Sequence, residues 1–102
     1  MPRFHSPHFE YNLEYWREFK AFCDTKGWTM TATALAWILD KDTRMIPIPA
    51  TRSAKHLNDW LPACEIRLSA DDRAEIDRIL PVGWAHGDRY WDEQSLKIER
   101  YC

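Results

Sequence analysis

The chain has 102 residues, which limits it to one domain with a modest core. Hydrophobic residues make up 45% of the chain and aromatic residues 14%, values typical of globular rather than disordered proteins. The net charge of −2 argues against a large basic surface for nucleic acid or an acidic membrane, so any anion-binding site must be local.

Helical periodicity is the first pattern along the chain. After a proline-containing loop, apolar residues recur at helical spacing over residues 8–26, and Gly27 follows where a left-handed stop is expected. A second helix is predicted over residues 30–41, capped by Thr29 or Thr31. This second helix is apolar nearly all round, which predicts burial on more than one side.

The stretch "MIPIP" contains the one convincing strand of the first half, at residues 45–48. Its prolines cannot donate to a β-ladder, which is unusual for a central strand. Ser53 then caps a predicted helix over residues 53–62, and Ser69 with Asp72 forms a capping-box pattern for a helix over residues 70–80. The tail, residues 81–102, shows no clear period.

A single strand among helices raises a structural problem, because its backbone groups need partners if they are buried. Two solutions remain open. The stretch is an extended connector within a small helical bundle, or the strand's partners lie on another chain.

The residues that follow this strand suggest a site for an anion. Thr51 offers a hydroxyl, Arg52 offers a forked pair of N–H donors, and Lys55 and His56 lie one turn into the next helix. The alternative is an ordinary capped and solvated helix start.

The three cysteines, Cys23, Cys64 and Cys102, are an odd and widely spaced set, which favours a reducing compartment over a disulfide framework. No apolar run approaches the ~20 residues of a membrane span, and no signal-peptide core is present, so a cytoplasmic protein is expected. Cys23 and Cys64 lie on apolar helical faces and are predicted to be buried, whereas Cys102 is predicted to be exposed. His5 and His8 lack the spacing and further ligands of a metal site, so none is predicted.

Short motifs run along practically the whole chain in one order and spacing. They are Pro2-Arg3-Phe4, Asn12, Lys26-Gly27, Thr29, Ala34-Leu35-Ala36-Trp37-Ile38-Leu39, Ile48-Pro49-Ala50-Thr51-Arg52, Leu57, Leu68-Ser69, Asp71-Asp72 and Gly87-Asp88-Arg89-Tyr90. Together they resemble the C-terminal part of the aldo-keto reductases of the bacterial and plant type. Their collinearity carries the resemblance, since no one motif is decisive.

The resemblance implies a fold class and a cofactor. The family is an α/β protein, a (β/α)₈ or TIM barrel with NADPH as hydride donor, and such barrels need about 250 residues. Residues 1–102 would therefore be a single partial domain, mostly helical, with residues 45–48 as the eighth barrel strand. Its orphaned appearance is then explained, because its neighbours belong to the N-terminal part of the barrel. NADPH and a carbonyl substrate are the partners implied once that part is supplied.

The resemblance also implies that the loop after the strand holds the 2′-phosphate and adenosine end of NADPH. Barrel enzymes bind phosphate groups at the loops that follow their last strands. The residues carried over to this cofactor site are Ala50, Thr51, Arg52, Lys55, His56 and Asp59, the last of them near the adenine amino group.

This chain departs from the family pattern at several positions in and near that site. Ala50 stands where the family has glycine, Trp60 where it has asparagine, and Thr31-Ala32-Thr33 where it has A-Q-L. Tryptophan cannot reproduce the paired donor and acceptor of asparagine, although it can stack on a ring. A divergent cofactor site is expected.

The family's catalytic Asp, Tyr, Lys and His come from its N-terminal half, and none of their motifs is present in this chain. Tyr90 and Lys97 follow the last barrel helix and do not replace them. No catalytic residue is therefore predicted, and the chain alone is not expected to reduce a carbonyl. The rival hypothesis is a non-catalytic remnant that packs its tryptophan-rich helices against itself or a partner, as an interaction or oligomerisation module.

Overall fold

The computed structural model describes residues 1–91 and Glu93, and this part of the chain is mostly helical. Within residues 1–91, four α-helices follow one another: α1 (His8–Lys26), α2 (Met30–Lys41), α3 (Ala54–Trp60) and α4 (Ala70–Ile79). Short 3₁₀ turns lie at Pro2–Phe4 and Leu61–Cys64. The predicted helical character is confirmed. None of these helices is long and apolar enough to cross a membrane.

The ends of the helices follow from local chemistry. Gly27 ends α1 in the left-handed conformation, with φ at 69°. The Thr29 side chain accepts a hydrogen bond from the Ala32 N–H and caps α2. At α4, the Ser69 hydroxyl accepts from the Asp72 N–H while the Asp72 carboxylate accepts from the Ser69 N–H, which completes the predicted capping box.

The third helix is shorter than predicted. Ser53 caps it by accepting a hydrogen bond from the His56 N–H at 3.4 Å, but α3 ends at Trp60 rather than at residue 62. Pro62 has no N–H to donate and its ring crowds the preceding turn, so the chain continues as the 3₁₀ turn Leu61–Cys64. This turn packs against α2.

The predicted strand at residues 45–48 is not formed, and that prediction is wrong for this chain. The segment is extended but has no ladder, and no strand exists among the residues that the structure describes. A strand is stabilised by a neighbour, and this part of the chain offers none. Ile46 and Ile48 are consequently 83% and 91% exposed.

The core is small and lies between α1 and α4. Its buried members are Phe19, Cys23, Leu68, Ile76 and Ile79. Helix α2 buries only its face at residues 32, 33 and 36, so the expected burial on more than one side does not occur among the described residues. A nearly all-apolar helix with an open face indicates that this chain has further surface to cover.

The two described cysteines differ in their environments. Cys23 is buried as predicted, and its thiol donates a hydrogen bond to the Thr33 hydroxyl at 3.4 Å. Burial raises the pKa of that thiol. Cys64 is exposed, so the prediction of a buried thiol there is wrong. The helical face that would have buried Cys64 stops at Trp60, and the tighter 3₁₀ turn aims residue 64 elsewhere. Cys102 and Lys97 lie outside the described residues.

Residues distant in sequence meet at the start of α1, in a group that we name the N-terminal clasp: Arg3, Asn12, His86 and Gly87. The Asn12 amide donates to the Arg3 carbonyl (3.2 Å) and the His86 carbonyl (3.0 Å), and its oxygen accepts from the His86 N–H (2.8 Å). The Arg3 guanidinium donates to the Gly87 carbonyl at 3.2 Å. The clasp therefore holds both the N-terminal turn and the segment after α4 on α1.

A buried carboxylate joins the end of α1 to the start of α4. Asp72 is only 5% exposed, and it accepts a 3.0 Å hydrogen bond from the Ser69 N–H while pairing with the Lys26 ammonium. Lys26 also lies over the rings of Phe22 and Trp28, 6.0 and 5.7 Å from their centroids. The Lys26 ammonium, together with the hydrogen bonds from Ser69, holds the pKa of Asp72 below its usual range.

We therefore expect Asp72→Asn to destabilise the chain by about 1 kcal/mol near neutral pH, because asparagine keeps the hydrogen bond but not the charge. A carboxyl with a depressed pKa stabilises the fold above its unfolded-state pKa of about 3.9, and this contribution disappears as pH falls through the folded-state pKa. The difference from wild type should thus begin to shrink below about pH 5 and should continue to shrink as the pH falls through the depressed folded-state pKa of Asp72. Urea unfolding across this range measures it. Asp71→Asn, an exposed first-turn change outside the capping box, is the control and should cost less at neutral pH.

Candidate functional site

The segment predicted to bind an anion is an exposed loop that leads into α3. Its conformation is set by hydroxyl groups: Thr51 Oγ1 accepts from the Ser53 N–H at 3.1 Å, and Ser53 in turn caps α3. Thr51 uses its oxygen as an acceptor here, so its O–H can still donate to an incoming oxygen atom. The loop is therefore ordered locally without using the donors that an anion needs.

The side chains singled out from sequence lie along this surface. Asp59 is half-buried. The other five side chains are exposed: Ala50, Thr51, Arg52, Lys55 and His56. Arg52 and Lys55 form no ion pair with any residue in the described part of the chain. Elsewhere on the surface, Arg44, Arg73 and Arg78 are each paired with a carboxylate. No carboxylate of the described residues therefore neutralises the charges of Arg52 and Lys55.

Thr29 connects this segment to the rest of the fold, a role that the sequence pattern did not reveal. Its Oγ1 donates to the Asp59 carbonyl at 2.8 Å while accepting from the Ala32 N–H at 3.1 Å. The start of α2 is thereby tied to the last turn of α3 across 30 residues of sequence. One feature of the sequence could have indicated this contact: a threonine that caps a helix with its oxygen still has a hydroxyl hydrogen to donate.

The alanine that replaces the family's glycine adds no backbone strain. Among the described residues, positive φ angles occur only at glycines, so Ala50 has an ordinary backbone conformation. The other departure, Trp60, is half-buried at the end of α3. The local fold accommodates both substitutions.

A separate concave feature lies beside the N-terminal clasp. It is an open cleft of about 290 Å³, and no residue from 50–59 lines it. Its walls come mainly from Arg3, Phe4, Phe9, Leu13, Trp16 and Trp84. No group of three or more His, Cys, Asp or Glu side chains that could hold a metal ion is found in the described part of the chain.

Comparisons with known proteins define the family. The model for the "Aldo/keto reductase family" matches residues 1–81, and the chain belongs to that family. It is similar to "Probable aldo-keto reductase 1" of Glycine max, with 30% identity over 91 residues that cover 89% of this chain and 26% of that protein. The chain thus spans about a quarter of the length of this curated relative. No solved structure matches it.

Proposed function

We propose that this chain is the C-terminal part of an NADPH-dependent aldo-keto reductase and contributes the loop that holds the 2′-phosphate and adenosine of the cofactor. Family membership over residues 1–81 supports the reductase assignment. The observation that carries the cofactor role is the exposed pair Arg52 and Lys55, free of ion pairs in the described chain, directly after the extended segment 45–48.

Each proposed cofactor-binding residue has a distinct task. Arg52 presents two parallel N–H donors to the 2′-phosphate, and Lys55 adds a mobile point charge. Thr51 donates its remaining O–H, and His56 lies beside the same phosphate. Asp59 accepts from the adenine amino group, and Ala50 lies where the backbone approaches the cofactor, with a methyl group that tightens the approach relative to the family's glycine.

The extended segment 45–48 supports the proposal that this part of the protein is completed by the rest of a barrel. Its backbone groups have no ladder, and Ile46 and Ile48 are almost fully exposed. Burying an isoleucine side chain contributes about 1.5–3 kcal/mol, so neighbouring strands on both sides would stabilise the segment. On this proposal, carbonyl reduction takes place in the cytoplasm and is a property of the completed barrel, whose catalytic groups this chain does not supply.

The same exposed isoleucines favour one alternative, an interaction or oligomerisation module without nucleotide binding. Unpaired extended backbone flanked by apolar side chains promotes edge-to-edge association. This alternative predicts a concentration-dependent oligomer that Ile48→Asp dissociates. A chain that remains monomeric in sedimentation at high concentration would count against it.

A chimera tests the reductase proposal directly. In it, this chain replaces the aligned segment of the soybean relative, which supplies the remainder of a barrel. We expect the chimera to bind NADPH more tightly than NADH, because only NADPH carries the 2′-phosphate. Nucleotide fluorescence titration measures both affinities, with circular dichroism against the soybean parent as the folding control. A folded chimera that binds both nucleotides equally, or neither, would refute the cofactor role.

A further inference from the structure

We propose that Thr29 is a positioning residue that makes the nucleotide site selective for adenine. Its hydroxyl donates to the Asp59 carbonyl, which fixes the last turn of α3 and so directs the Asp59 carboxylate at the amino group of the base. Thr29 acts through Asp59 and is not itself a contact of the nucleotide. It has this role only if residues 50–59 hold the cofactor, as proposed.

Helix α3 contributes little packing of its own. None of its seven residues is buried. Its N-terminal hydrogen bonds are local, because the Thr51 and Ser53 hydroxyl oxygens accept from N–H groups of the same segment. At its other end the helix continues into the turn Leu61–Cys64, which packs against α2. One covalent junction leaves the direction of a helix open, so a further contact is needed to fix it.

The hydrogen bond from Thr29 to Asp59 supplies this contact. Within the described part of the chain, it is the one side-chain hydrogen bond that joins residues 50–60 to another element, and its length is 2.8 Å. The Asp59 carbonyl lies in the last turn of α3, where the carbonyl groups of a helix need donors from outside it. Asp59 is half-buried, so a fixed backbone restricts where its carboxylate can point.

Thr29 is itself held rigidly at the start of α2. Its carbonyl accepts from the N–H of Thr33 at 2.9 Å and from the hydroxyl of Thr33 at 2.8 Å. Thr33 is fully buried and accepts in turn from the Cys23 thiol. The Thr29 oxygen also accepts from the Ala32 N–H, which leaves its hydrogen for Asp59. A donor fixed on a helix in this way positions its acceptor precisely.

The chemistry of the purine identifies the selectivity that results. Adenine carries an amino group, which donates to a carboxylate, whereas hypoxanthine carries a carbonyl oxygen at the same ring position. A carboxylate that is held in place binds the first and repels the second. A carboxylate that is free to turn away loses the contact with adenine and also avoids the repulsion from hypoxanthine. The preference for adenine therefore depends on how firmly Asp59 is held.

The test uses the native chain and two reduced dinucleotide phosphates that differ only in the base, NADPH and its hypoxanthine analogue. We expect the native chain to bind NADPH roughly tenfold more tightly than the analogue or better, because a hydrogen bond to a charged group is lost with the amino group. Amide NMR titration measures both affinities, and NADH is titrated alongside them.

Three substitutions of Thr29 separate the donated hydrogen bond from the cap of α2. Thr29→Ser keeps both and should keep the native preference for adenine. Thr29→Asp keeps a capping oxygen but has no hydrogen to donate, and Thr29→Gly is a neutral cap that donates nothing. Both of these variants should bring the affinity for NADPH down towards that for the analogue. The carbonyl carbon signal of Asp59 should move in the same two variants and stay in place in Thr29→Ser.

The outcomes distinguish this role of Thr29 from the cofactor role of the loop. If the native chain prefers NADPH over NADH, but has no preference for adenine or keeps it in Thr29→Gly and Thr29→Asp, positioning by Thr29 is refuted and the cofactor role stands. A preference lost equally in Thr29→Ser would also refute it, since that variant retains the donor. If the native chain binds NADPH and NADH equally, or neither, the cofactor role fails and base selection fails with it. Should Thr29→Gly not fold, Thr29→Asp against Thr29→Ser decides.

Discussion

Arg52→Ala should abolish most of the preference for NADPH over NADH, both in the isolated chain and in the chimera. The two nucleotides differ only in the 2′-phosphate, so a residue that binds this group affects one and not the other. Hydrogen bonds to charged groups contribute about 1.5–3 kcal/mol, which corresponds to roughly 10- to 150-fold weaker NADPH binding. The affinity for NADH should remain as in the native chain.

Amide NMR titration of the isolated chain gives the location as well as the affinity. NADPH should shift signals within residues 51–59, and Arg52→Ala should remove those shifts. Lys55→Ala should have a smaller effect, because an ammonium on a flexible stem loses more entropy for each contact. Arg17→Ala, an exposed cation on α1, is the matched control and should leave both nucleotides unaffected. A parallel loss for NADPH and NADH would mean that Arg52 acts on folding rather than on the phosphate.

Gly87→Ala should detach the segment after α4 from α1 and destabilise the chain more than any other glycine substitution in the described part. A Cβ at this position would lie 2.9 Å from the Arg3 Cα and equally close to ring atoms of His8. The Arg3 backbone cannot move aside without breaking the clasp, because both the Arg3 carbonyl and its guanidinium are hydrogen-bonded there. Overpacking of this kind costs about 1–3 kcal/mol.

Gly83→Ala is a close control for this clash. Gly83 and Gly87 have φ angles of 81° and 79°, but a Cβ at Gly83 would meet nothing within 4 Å. Both variants carry the left-handed backbone penalty of about 1–2 kcal/mol, and only the change at Gly87 adds the clash. Urea unfolding gives the difference, and tryptophan fluorescence near Trp84 reports detachment of the segment. Equal stabilities of the two variants would show that the clasp is able to relax around a methyl group.

Features governed by local chemistry could be predicted from the sequence. A left-handed glycine, a capping threonine and a capping box each act within one helical turn. Gly27 is therefore sufficient to define the C-terminus of α1, Thr29 the N-terminus of α2, and Ser69 with Asp72 the N-terminus of α4. The family could also be recognised, because it rests on motif order alone. The cofactor residues remain a proposal derived from that recognition.

Two predictions from the sequence were wrong, one for lack of a distant partner and one because of a nearby proline. The prediction of a strand at residues 45–48 was wrong because a strand requires hydrogen-bonding partners and not only apolar alternation. The prediction that Cys64 is buried was wrong because Pro62 changes the helix type, and with it the direction of the side chains that follow. The error at residues 45–48 concerns what surrounds the segment, whereas the error at Cys64 is local, because Pro62 lies only two residues away.

The sequence by itself thus determined the helices, their caps and the family, because short-range contacts and motif order are encoded within a few residues. Only the tertiary structure decided which surfaces meet. It brought Arg3 to Gly87 across 84 positions, formed the aromatic cleft beside them, tied Thr29 to Asp59, and left Ile46 and Ile48 in solvent. Such outcomes depend on the free energy of the whole packed chain, in which each long-range contact must offset the entropy of ordering the residues between its partners.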